Sequence, residues 1–293
     1  MNITPFQSLA CPLDGDPMRR EGASWRCAAG HTFDVARQGY THLLPVQKKR
    51  SLDPGDSKAM VLARQRFLNG GHYQPIAAAV NRLSLADLPD SSSYSCLDAG
   101  CGEGYYLRQL ALHVGSEEAA SEKSMALVGL DISKAAILSA TRQAGSDKAR
   151  QPNWLVGSNA NLPMLAGSLD RVLCLFGFPV YAEFARVLKP GGRVIQVDAG
   201  PDHLRELREI IYPELKPERK QEAEAPDNFV RGATDTLRYN LDLNAAEPIA
   251  DLLAMTPHLY RANAKGRDRA AALNSLAVTV DIRLTTFERI GAL

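Results

Sequence analysis

Short apolar runs alternate with amphipathic segments over the second part of the chain. Apolar runs bounded by turn residues are typical of buried strands, whereas apolar positions that recur every three or four residues predict helices. Strands that alternate with helices build a parallel sheet covered by helices on both faces. The pattern predicts strands over 126–130, 154–156, 170–175 and 193–197, and helices over 105–114, 134–143 and 183–188.

Two other regions have patterns of their own. After residue 55, apolar residues recur at helical spacing, which predicts helices over 58–68 and 75–83. Asp56 is expected to cap the first of these helices, because a short acidic side chain can accept from the free N–H groups of a first turn. Near the C-terminus, the segments 239–243 and 277–284 alternate and predict late antiparallel strands.

The stretch 97–106, Leu-Asp-Ala-Gly-Cys-Gly-Glu-Gly-Tyr-Tyr, links a predicted strand to a predicted helix. Its three glycines allow positive φ and the close approach of a ligand. A dinucleotide site has the spacing G-x-G-x-x-G, but here the third glycine comes one residue early and an acid precedes the first. Asp98 and Glu103 would repel a pyrophosphate and favour a cationic ligand. The spacing D-x-G-x-G-x-G resembles motif I of the S-adenosylmethionine-dependent methyltransferases, which implies cofactor contacts from Asp98, Gly100, Cys101 and Gly102.

Three later segments extend this predicted site. Asp131 follows the second strand of the domain, where an acid can accept hydrogen bonds from both ribose hydroxyls, while Ser133 can cap the next helix. After the third strand, either Ser158 or Asn159 can contact the adenine amino group. Residues 188–192, Leu-Lys-Pro-Gly-Gly, resemble a second methyltransferase signature. The two signatures in this order predict a doubly wound, Rossmann-like α/β class I methyltransferase domain.

Charge and composition narrow the set of partners. The net charge of +1 makes no overall case for nucleic acid. Residues 1–70, however, hold ten Lys and Arg against six Asp and Glu, while the remainder holds 24 against 27. This asymmetry indicates a polyanionic partner for the N-terminal part. No run resembles a signal peptide or a membrane span, and five scattered cysteines fit a reduced, cytoplasmic protein.

The N-terminal segment contains two tight pairs of metal-ligand residues. Cys11 precedes Asp14 by three positions, and Cys27 precedes His31 by four. Two such pairs about fifteen residues apart are the plan of a zinc ribbon. A thiolate is a stronger zinc ligand than a carboxylate, so we expect these four residues to bind zinc with reduced affinity. The alternative is a small β module that packs without metal, because Asp14 also opens an ordinary turn sequence.

Residues 31–47, His-Thr-Phe-Asp-Val-Ala-Arg-Gln-Gly-Tyr-Thr-His-Leu-Leu-Pro-Val-Gln, lead to Pro-Gly-Asp at 54–56 and Gly-His-Tyr at 71–73. Together with motif I, they closely resemble the bacterial 23S ribosomal RNA guanine-N(1)-methyltransferases of the RlmA/RrmA type. The sequence departs from the family at Asp14, where the family has cysteine. The resemblance implies methylation of a guanine in a hairpin of 23S rRNA, S-adenosylmethionine as cofactor, and a homodimer. It also implies that Tyr73 and His203 contact the cofactor, whereas packing at a helix junction or a helix start is the usual role of such residues.

Methylation of the first ring nitrogen of guanine requires that its proton be removed. Enzymes that methylate exocyclic amines often carry [DN]-P-P-[FY] after the fourth strand, but this chain has Phe-Gly-Phe-Pro at 176–179. Phe176 cannot accept an amino proton. Phe176 or Phe178 can instead stack a flipped base, or pack under the sheet. Glu206 and Asp198 are candidate bases by position only, and both also suit structural roles.

Together these features predict three parts. A zinc-ribbon-like RNA-binding module occupies 1–45, a helical connector over the cofactor mouth occupies 46–93, and the methyltransferase domain occupies 94–293. A small-molecule methyltransferase would share both signatures but has no need of a basic ribbon. A non-catalytic, cofactor-sensing RNA-binding protein is the second alternative. RNA phosphates are expected to bind a basic run beside the module, namely Lys48, Lys49 and Arg50.

Overall fold

A computed structural model describes residues 1–48, 51, 53–88, 93–116, 123–145, 151–215 and 224–291. Its strands are β1 (Asn2–Thr4), β2 (Met18–Glu21), β3 (Ser24–Cys27), β4 (Thr32–Asp34), β5 (Tyr40–His42), β6 (Ser93–Ala99), β7 (Ser124–Asp131), β8 (Asn153–Val156), β9 (Leu169–Leu175), β10 (Leu188–Ala199), β11 (Phe229–Leu243) and β12 (Leu276–Arg289). Its helices are α1 (Lys58–Asn69), α2 (Gln74–Leu85), α3 (Tyr105–Ser116), α4 (Lys134–Gln143), α5 (Tyr181–Val187), α6 (Arg205–Ile211), α7 (Ala246–Ala254), α8 (His258–Arg261) and α9 (Ala264–Ala271).

One large sheet has the strand order β11-β12-β10-β9-β6-β7-β8-β5, with β1 pairing alongside β7. Strands β5 to β10 pair in parallel, while β12 runs antiparallel to both β10 and β11. The chain first builds outward from β6 through β7 to β8, and then returns to β9 on the other side of β6. The carboxyl ends of β6 and β9 therefore flank the crevice in which sheets of this kind bind ligands. The predicted doubly wound α/β domain is confirmed.

The central strands are buried along nearly their whole length. All seven residues of β9 are buried, and in β7 only the two end residues are partly exposed. Parallel strands covered on both faces must be continuous apolar runs, and this explains why the sequence pattern predicts them. The predicted bounds 126–130 and 170–175 differ from those of β7 and β9 by at most two residues.

Two helix starts test the predicted caps. Ser133 caps α4 as predicted, since its hydroxyl oxygen accepts from the backbone N–H of Ala136 at 3.2 Å. The prediction that Asp56 caps α1 is wrong. Ser57 holds the cap position and accepts from the N–H of Met60, while the Asp56 carboxylate forms an ion pair with Arg64.

The late antiparallel strands are much longer than the predicted 239–243 and 277–284. β11 and β12 pair along most of their length, with a shift in register between Arg231 and Thr234. β11 is the edge of the sheet, and its residues alternate mainly between exposed and half-buried positions. A half-solvated edge strand needs few apolar residues, so its first half has no apolar pattern from which to predict it.

The N-terminal segment contributes to both sheets of the molecule. β2, β3 and β4 form a separate three-stranded antiparallel sheet, whereas β1 and β5 join the large sheet. This small sheet and the residues 8–17 that lead into it are hereafter the ribbon. The ribbon is fixed to the segment after β8 by backbone hydrogen bonds from Ala10 to Pro163 and from Leu165 to Ser8, both 3.0 Å long. Buried Trp25 belongs to the same apolar cluster as the residues of the large sheet. Among the described helices, none has the length and apolar character needed to cross a membrane.

Candidate functional site

The glycine loop connects β6 to α3, and its glycines are needed for different physical reasons. Gly100, Gly102 and Gly104 all have positive φ, at 93°, 56° and 81°. A Cβ atom on Gly104 would lie 2.5 Å from the ring of Trp154, so this glycine is needed for packing. A Cβ atom on Gly100 would meet only the side-chain amide of Asn159, at 3.9 Å. The first glycine therefore faces open space, where a ligand can approach the backbone.

Asp98 lies in β6, directly before this loop, and is only 1% exposed. Neither of its carboxylate oxygens has a hydrogen-bond partner among the described residues. Burial, and then the nearby charge of Asp131, raise the pKa of Asp98 to about 8. A buried carboxyl group without partners costs free energy. A cationic ligand that entered the crevice would supply the missing partner.

Asp131 lies at the carboxyl end of β7 and braces the glycine loop. One of its oxygens accepts from the backbone N–H of Gly102 at 2.9 Å, and the other accepts from the N–H of Ser133 at 2.7 Å. Burial is the main cause that raises its pKa. Each carboxylate oxygen keeps a further lone pair, so these bonds leave the group able to accept from hydroxyls of a ligand.

The turn after β8 brings a third polar group to the loop. The side-chain amide of Asn159 donates to the carbonyl oxygen of Ala99 at 3.3 Å, and its own oxygen is buried without a partner in the described structure. Ser158 instead accepts from the backbone N–H of Ala160. The thiol of Cys101 is buried, and its nearest polar contact is the carbonyl oxygen of Gly102. Of Ser158 and Asn159, the asparagine is therefore the one with an unused acceptor.

Tyr73 and His203, which are 130 positions apart, meet beside the crevice. The Tyr73 hydroxyl is 3.5 Å from Nε2 of His203, and both side chains are buried. Nδ1 of His203 accepts from the backbone N–H of Asp281 at 3.3 Å, which assigns the ring proton to Nε2. Burial lowers the pKa of His203 to about 4, so the ring is neutral at pH 7. The ring of Phe176 stacks on that of His203, with 5.9 Å between centroids.

The two candidate bases have structural partners. The Glu206 carboxylate accepts from the N–H and the hydroxyl of Thr279, at 2.8 and 2.7 Å. Burial alone would raise the pKa of Glu206, but hydrogen bonds, led by the one from the Thr279 N–H, bring it below its usual value. Asp198 accepts from the side-chain amide of Gln196 at 2.7 Å. Both contacts agree with the structural roles that the sequence left open.

Arg64 was not predicted from the sequence as a site residue, whereas Glu103 was expected, with Asp98, to favour a cationic ligand. Arg64 on α1 reaches the glycine loop, with its guanidinium 3.5 Å from where a Cβ of Gly102 would lie. The available signal was a cationic residue off the apolar stripe of a predicted helix. Glu103 is buried within the loop, but it forms an ion pair with Arg108 at 2.8 Å and is thus held by the protein itself. Asp98 is therefore the loop acid without a partner.

A second cluster lies at the tip of the ribbon. The ligand atoms of Cys11, Asp14, Cys27 and His31 all lie within 4.8 Å of one another. Nδ1 of His31 is 3.5 Å from each sulfur and 2.7 Å from a carboxylate oxygen of Asp14. Separations of about 3–4 Å are those of a tetrahedral zinc site with bonds of about 2.0–2.3 Å. The donor set of two sulfurs, one nitrogen and one oxygen therefore fits zinc.

Two backbone turns shape this cluster. The N–H of Gly15 donates to the carbonyl of Cys11 at 2.8 Å, and the N–H of Gly30 donates to that of Cys27 at 3.0 Å. Both glycines have positive φ, which allows these tight turns. Burial is the main cause that raises the pKa of Cys11 to about 11, so metal binding must displace a proton from this thiol.

Comparison with known proteins supports both parts of the molecule. Family models match residues 9–52, described as "RlmA, N-terminal", and residues 96–192, described as "Methyltransferase domain". The Streptomyces fradiae protein named 23S rRNA (guanine(748)-N(1))-methyltransferase is 32% identical over 257 residues, which cover 85% of this chain and 84% of that protein. The Bacillus subtilis (strain 168) protein named "Putative 23S rRNA (guanine-N(1)-)-methyltransferase YxjB" is 31% identical over 287 residues, which cover 94% and 95%.

Among solved structures, the YcgJ protein from Bacillus subtilis is 16% identical and has a TM-score of 0.46, over 74% of this chain and 98% of that one. The strand order and the two family models together define a class I methyltransferase fold behind a zinc-ribbon N-terminal domain. Because relatives above 30% identity match most of its length, the chain belongs to the family of the 23S rRNA (guanine-N(1))-methyltransferases. The family predicted from motif I and residues 31–47 is confirmed.

The first prediction concerns the cost of the unpaired acid. The pKa of Asp98 is about 8 in the folded protein and about 3.9 in an unfolded chain, so stability falls as pH rises from about 4 to 8. Asp98→Asn should stabilise the ligand-free protein by about 1–3 kcal/mol at pH 8, with a smaller gain near pH 5. The same variant should bind S-adenosylmethionine at least about tenfold more weakly at pH 8, because a charge-assisted hydrogen bond is lost.

Urea unfolding and calorimetry across this pH range check both parts. Asp242→Asn is the matched control, since Asp242 is exposed on β11 and should leave both profiles unchanged. An Asp98→Asn protein that is less stable and binds the cofactor as tightly as the wild type would contradict this role for the acid.

The second prediction concerns the metal. Protein purified without chelator should contain about one zinc per chain. Asp14→Cys should raise both the zinc affinity and the melting temperature, because sulfur is the softer donor, whereas Asp14→Asn should lower both. Asp34→Asn, at an exposed ribbon acid whose carboxylate accepts from the hydroxyl of Ser24, should retain the metal. Metal analysis and thermal melting measure these effects. If the wild-type protein contains no zinc and Cys27→Ser leaves the melting temperature unchanged, the ribbon is stabilised by packing alone.

Proposed function

We propose that this protein transfers a methyl group from S-adenosylmethionine to the first ring nitrogen of a guanine in 23S rRNA. The observation that carries the proposal is the buried, unpartnered carboxyl group of Asp98 beside an open glycine loop, in a chain of this family. An unpartnered acid suits the ammonium and sulfonium groups of S-adenosylmethionine, whereas it would repel a dinucleotide phosphate. The ribbon adds a module that a small-molecule methyltransferase does not need.

The described polar groups fit the cofactor in separate ways. When bound, S-adenosylmethionine supplies a methyl group activated by a positively charged sulfur. Asp98 would hold the cationic amino acid part, Asp131 would accept from the ribose hydroxyls, and Asn159 would accept from the adenine amino group. Tyr73 and His203 would close the cavity beside the sulfur, since both are buried and neutral. The main work of the protein is then positioning, because methyl transfer needs in-line attack on the methyl carbon.

The choice of a ring nitrogen over an exocyclic amine is supported by the residue after β9. An amine methyltransferase of the Asp/Asn-Pro-Pro type places a hydrogen-bond acceptor at this point, but here Phe176 occupies it. Phe176 offers a flat apolar surface and no acceptor. Ring nitrogen one of guanine loses a single proton on methylation. Glu206 and Asp198 stay candidate bases by sequence position, each with the structural partners described above.

The RNA surface is proposed on the ribbon. Arg19 and Arg26 lie directly opposite each other on β2 and β3, and both are exposed. Like charges in this cross-strand position are unfavourable on their own, so the pair favours an anionic partner. Glu21, 3.5 Å from Arg26, neutralises part of this charge. The predicted run at 48–50 lies outside the described side chains.

The ribbon is attached where RNA would have to approach. Its first turn contacts the segment after β8, since the side-chain amide of Asn161 donates to the carbonyl of Pro12 at 3.4 Å. The same segment begins with Asn159 at the cofactor crevice. A hairpin that bound the ribbon would therefore lie close to the crevice. We further propose that the enzyme acts in the cytoplasm, where ribosomes assemble, and that it forms a homodimer as its family resemblance implies.

The test of this function is the modification itself. Ribosomal RNA from a deletion strain and from its parent is digested to nucleosides and analysed by mass spectrometry. N(1)-methylguanosine should be lower in the deletion strain and should return when the wild-type gene is restored. Because a methyl group on that nitrogen blocks Watson–Crick pairing, primer extension should stop at one guanosine in the parent only. Unchanged N(1)-methylguanosine in the ribosomal RNA of the deletion strain would exclude the function.

The two exposed arginines of the ribbon should contribute to RNA binding. Arg19→Ala combined with Arg26→Ala should weaken hairpin binding about tenfold at low salt and flatten its salt dependence, because fewer counterions are released from phosphates. Affinity for S-adenosylmethionine should stay level. Fluorescence anisotropy over a salt series measures the salt dependence of hairpin binding in the wild type and in the double variant. Lys134→Ala, at the start of α4, is the charge control. An unchanged slope in the double variant would remove the ribbon as the RNA platform.

A further inference from the structure

We propose that the exposed face of the Phe176 ring is the platform on which the flipped target guanine stacks, while Tyr73 and His203 hold that ring in place. This inference rests on the proposed function and adds the substrate subsite to it. Three independent features of the region support it: the position of Phe176, its backbone conformation, and the contrast between its own exposure and the burial of the rings that it contacts.

Phe176 directly follows β9, at the switch point of the sheet beside β6. Its backbone N–H donates to the carbonyl of Val197 at 2.8 Å, which continues the ladder between β9 and β10. The next residue, Gly177, comes within 3.8 Å of the Ala99 carbonyl when a Cβ atom is built on it. Ala99 is the last residue before the glycine loop. The Phe176 ring therefore stands at the edge of the cofactor crevice, where a substrate base has to arrive.

The backbone of Phe176 adopts a conformation that a bulky residue rarely takes. Its φ is +54°, in the left-handed region. A side chain pays for this conformation with steric strain, and glycine would occupy the position without that cost. Strain of this kind is concentrated at functional sites, where it aims a side chain. A residue kept here for packing alone would have no need of an aromatic ring in this conformation.

The Phe176 ring is exposed, but the rings that it contacts are buried. It stacks on His203, at 5.9 Å between centroids and 25° between planes, and is tilted against Tyr73, at 6.3 Å and 32°. Both of these side chains are more than nine-tenths buried, and Phe67 contacts Tyr73 edge-on at 5.3 Å. Phe176 itself is 41% exposed. Buried aromatic side chains therefore support a ring that keeps part of its surface open to solvent.

A second phenylalanine extends this apolar edge. Phe178 is 89% exposed, although β9 is buried up to its last residue, Leu175, three positions earlier. A large apolar side chain in water gains nothing for folding, but it can contact the RNA around a base that has left its stack. Base stacking on an aromatic face is favourable for any nucleobase. The site therefore needs no charged group at this point, in agreement with the neutral ring of His203.

The experiment separates stacking of the target base from other RNA contacts. The probe is the 23S rRNA hairpin that contains the guanosine mapped by primer extension, made once with that guanosine and once abasic at the same nucleotide. Binding is measured with S-adenosylhomocysteine present, so that no methyl is transferred. Phe176→Leu should bind the guanosine hairpin about tenfold more weakly than the wild type, and the abasic hairpin equally well. Phe176→Tyr, which keeps the ring, should restore binding to within about twofold.

Folding and cofactor binding are followed in the same variants. Affinity for S-adenosylmethionine should be unchanged in Phe176→Leu, which shows that the crevice is intact. Phe176→Gly relieves the backbone strain, so it should keep its melting temperature while it loses methylation of the hairpin. An equal loss on both hairpins, or no loss on either, would overturn the platform. Absence of N(1)-methylguanosine in wild-type 23S rRNA would instead overturn the proposed function, and the two failures are therefore distinguishable.

Discussion

The arrangement of this molecule depends on a buried carboxyl group for which the described residues provide no partner. Asp98 is buried at the end of a central strand, and neither of its oxygens is bonded within the described structure. Glu103, five residues along in the same motif, shows the alternative, because it is buried too but has Arg108 as its partner. A fold that retains one unpaired acid beside a paired one bears a cost at neutral pH. A cationic ligand offsets that cost, and this links the stability of the crevice to its occupation.

The remaining parts surround this crevice. Asp131 fixes the glycine loop through the N–H of Gly102, and Arg64 approaches the same loop from α1. On the far side of β8, the metal cluster shapes the turn that begins at Cys11, and that turn contacts Asn161 next to the cofactor segment. The ribbon is therefore packed as part of one structure with the large sheet. A metal that orders the ribbon would also steady the segment that carries Asn159.

Much of the fold follows from the sequence because parallel strands are buried on both faces and must be apolar throughout. Local chemistry also predicted Ser133 as the cap of α4 and the four residues of the metal cluster, whose ligand atoms do converge. Asp56 was wrongly expected to cap α1, since local propensity could not separate it from Ser57 or reveal its ion pair with Arg64. The meeting of distant aromatic side chains depends on tertiary packing, so only resemblance to a family brought them into the predicted site. The length of the edge strand β11 was underestimated, because polar residues on a solvent-exposed strand leave no apolar pattern from which to predict it.

The most direct test of the account measures protons released when the cofactor binds. At pH 7, below the pKa of about 8, Asp98 in the free protein is largely protonated, and pairing with a cation requires that it ionise. Calorimetry in two buffers of different ionisation enthalpy should therefore show release of about one proton per S-adenosylmethionine bound at pH 7, falling toward zero well above pH 8. The Asp98→Asn protein should release none. Binding without proton release in the wild type, or equal release in the variant, would contradict the claim that this acid awaits the cationic cofactor.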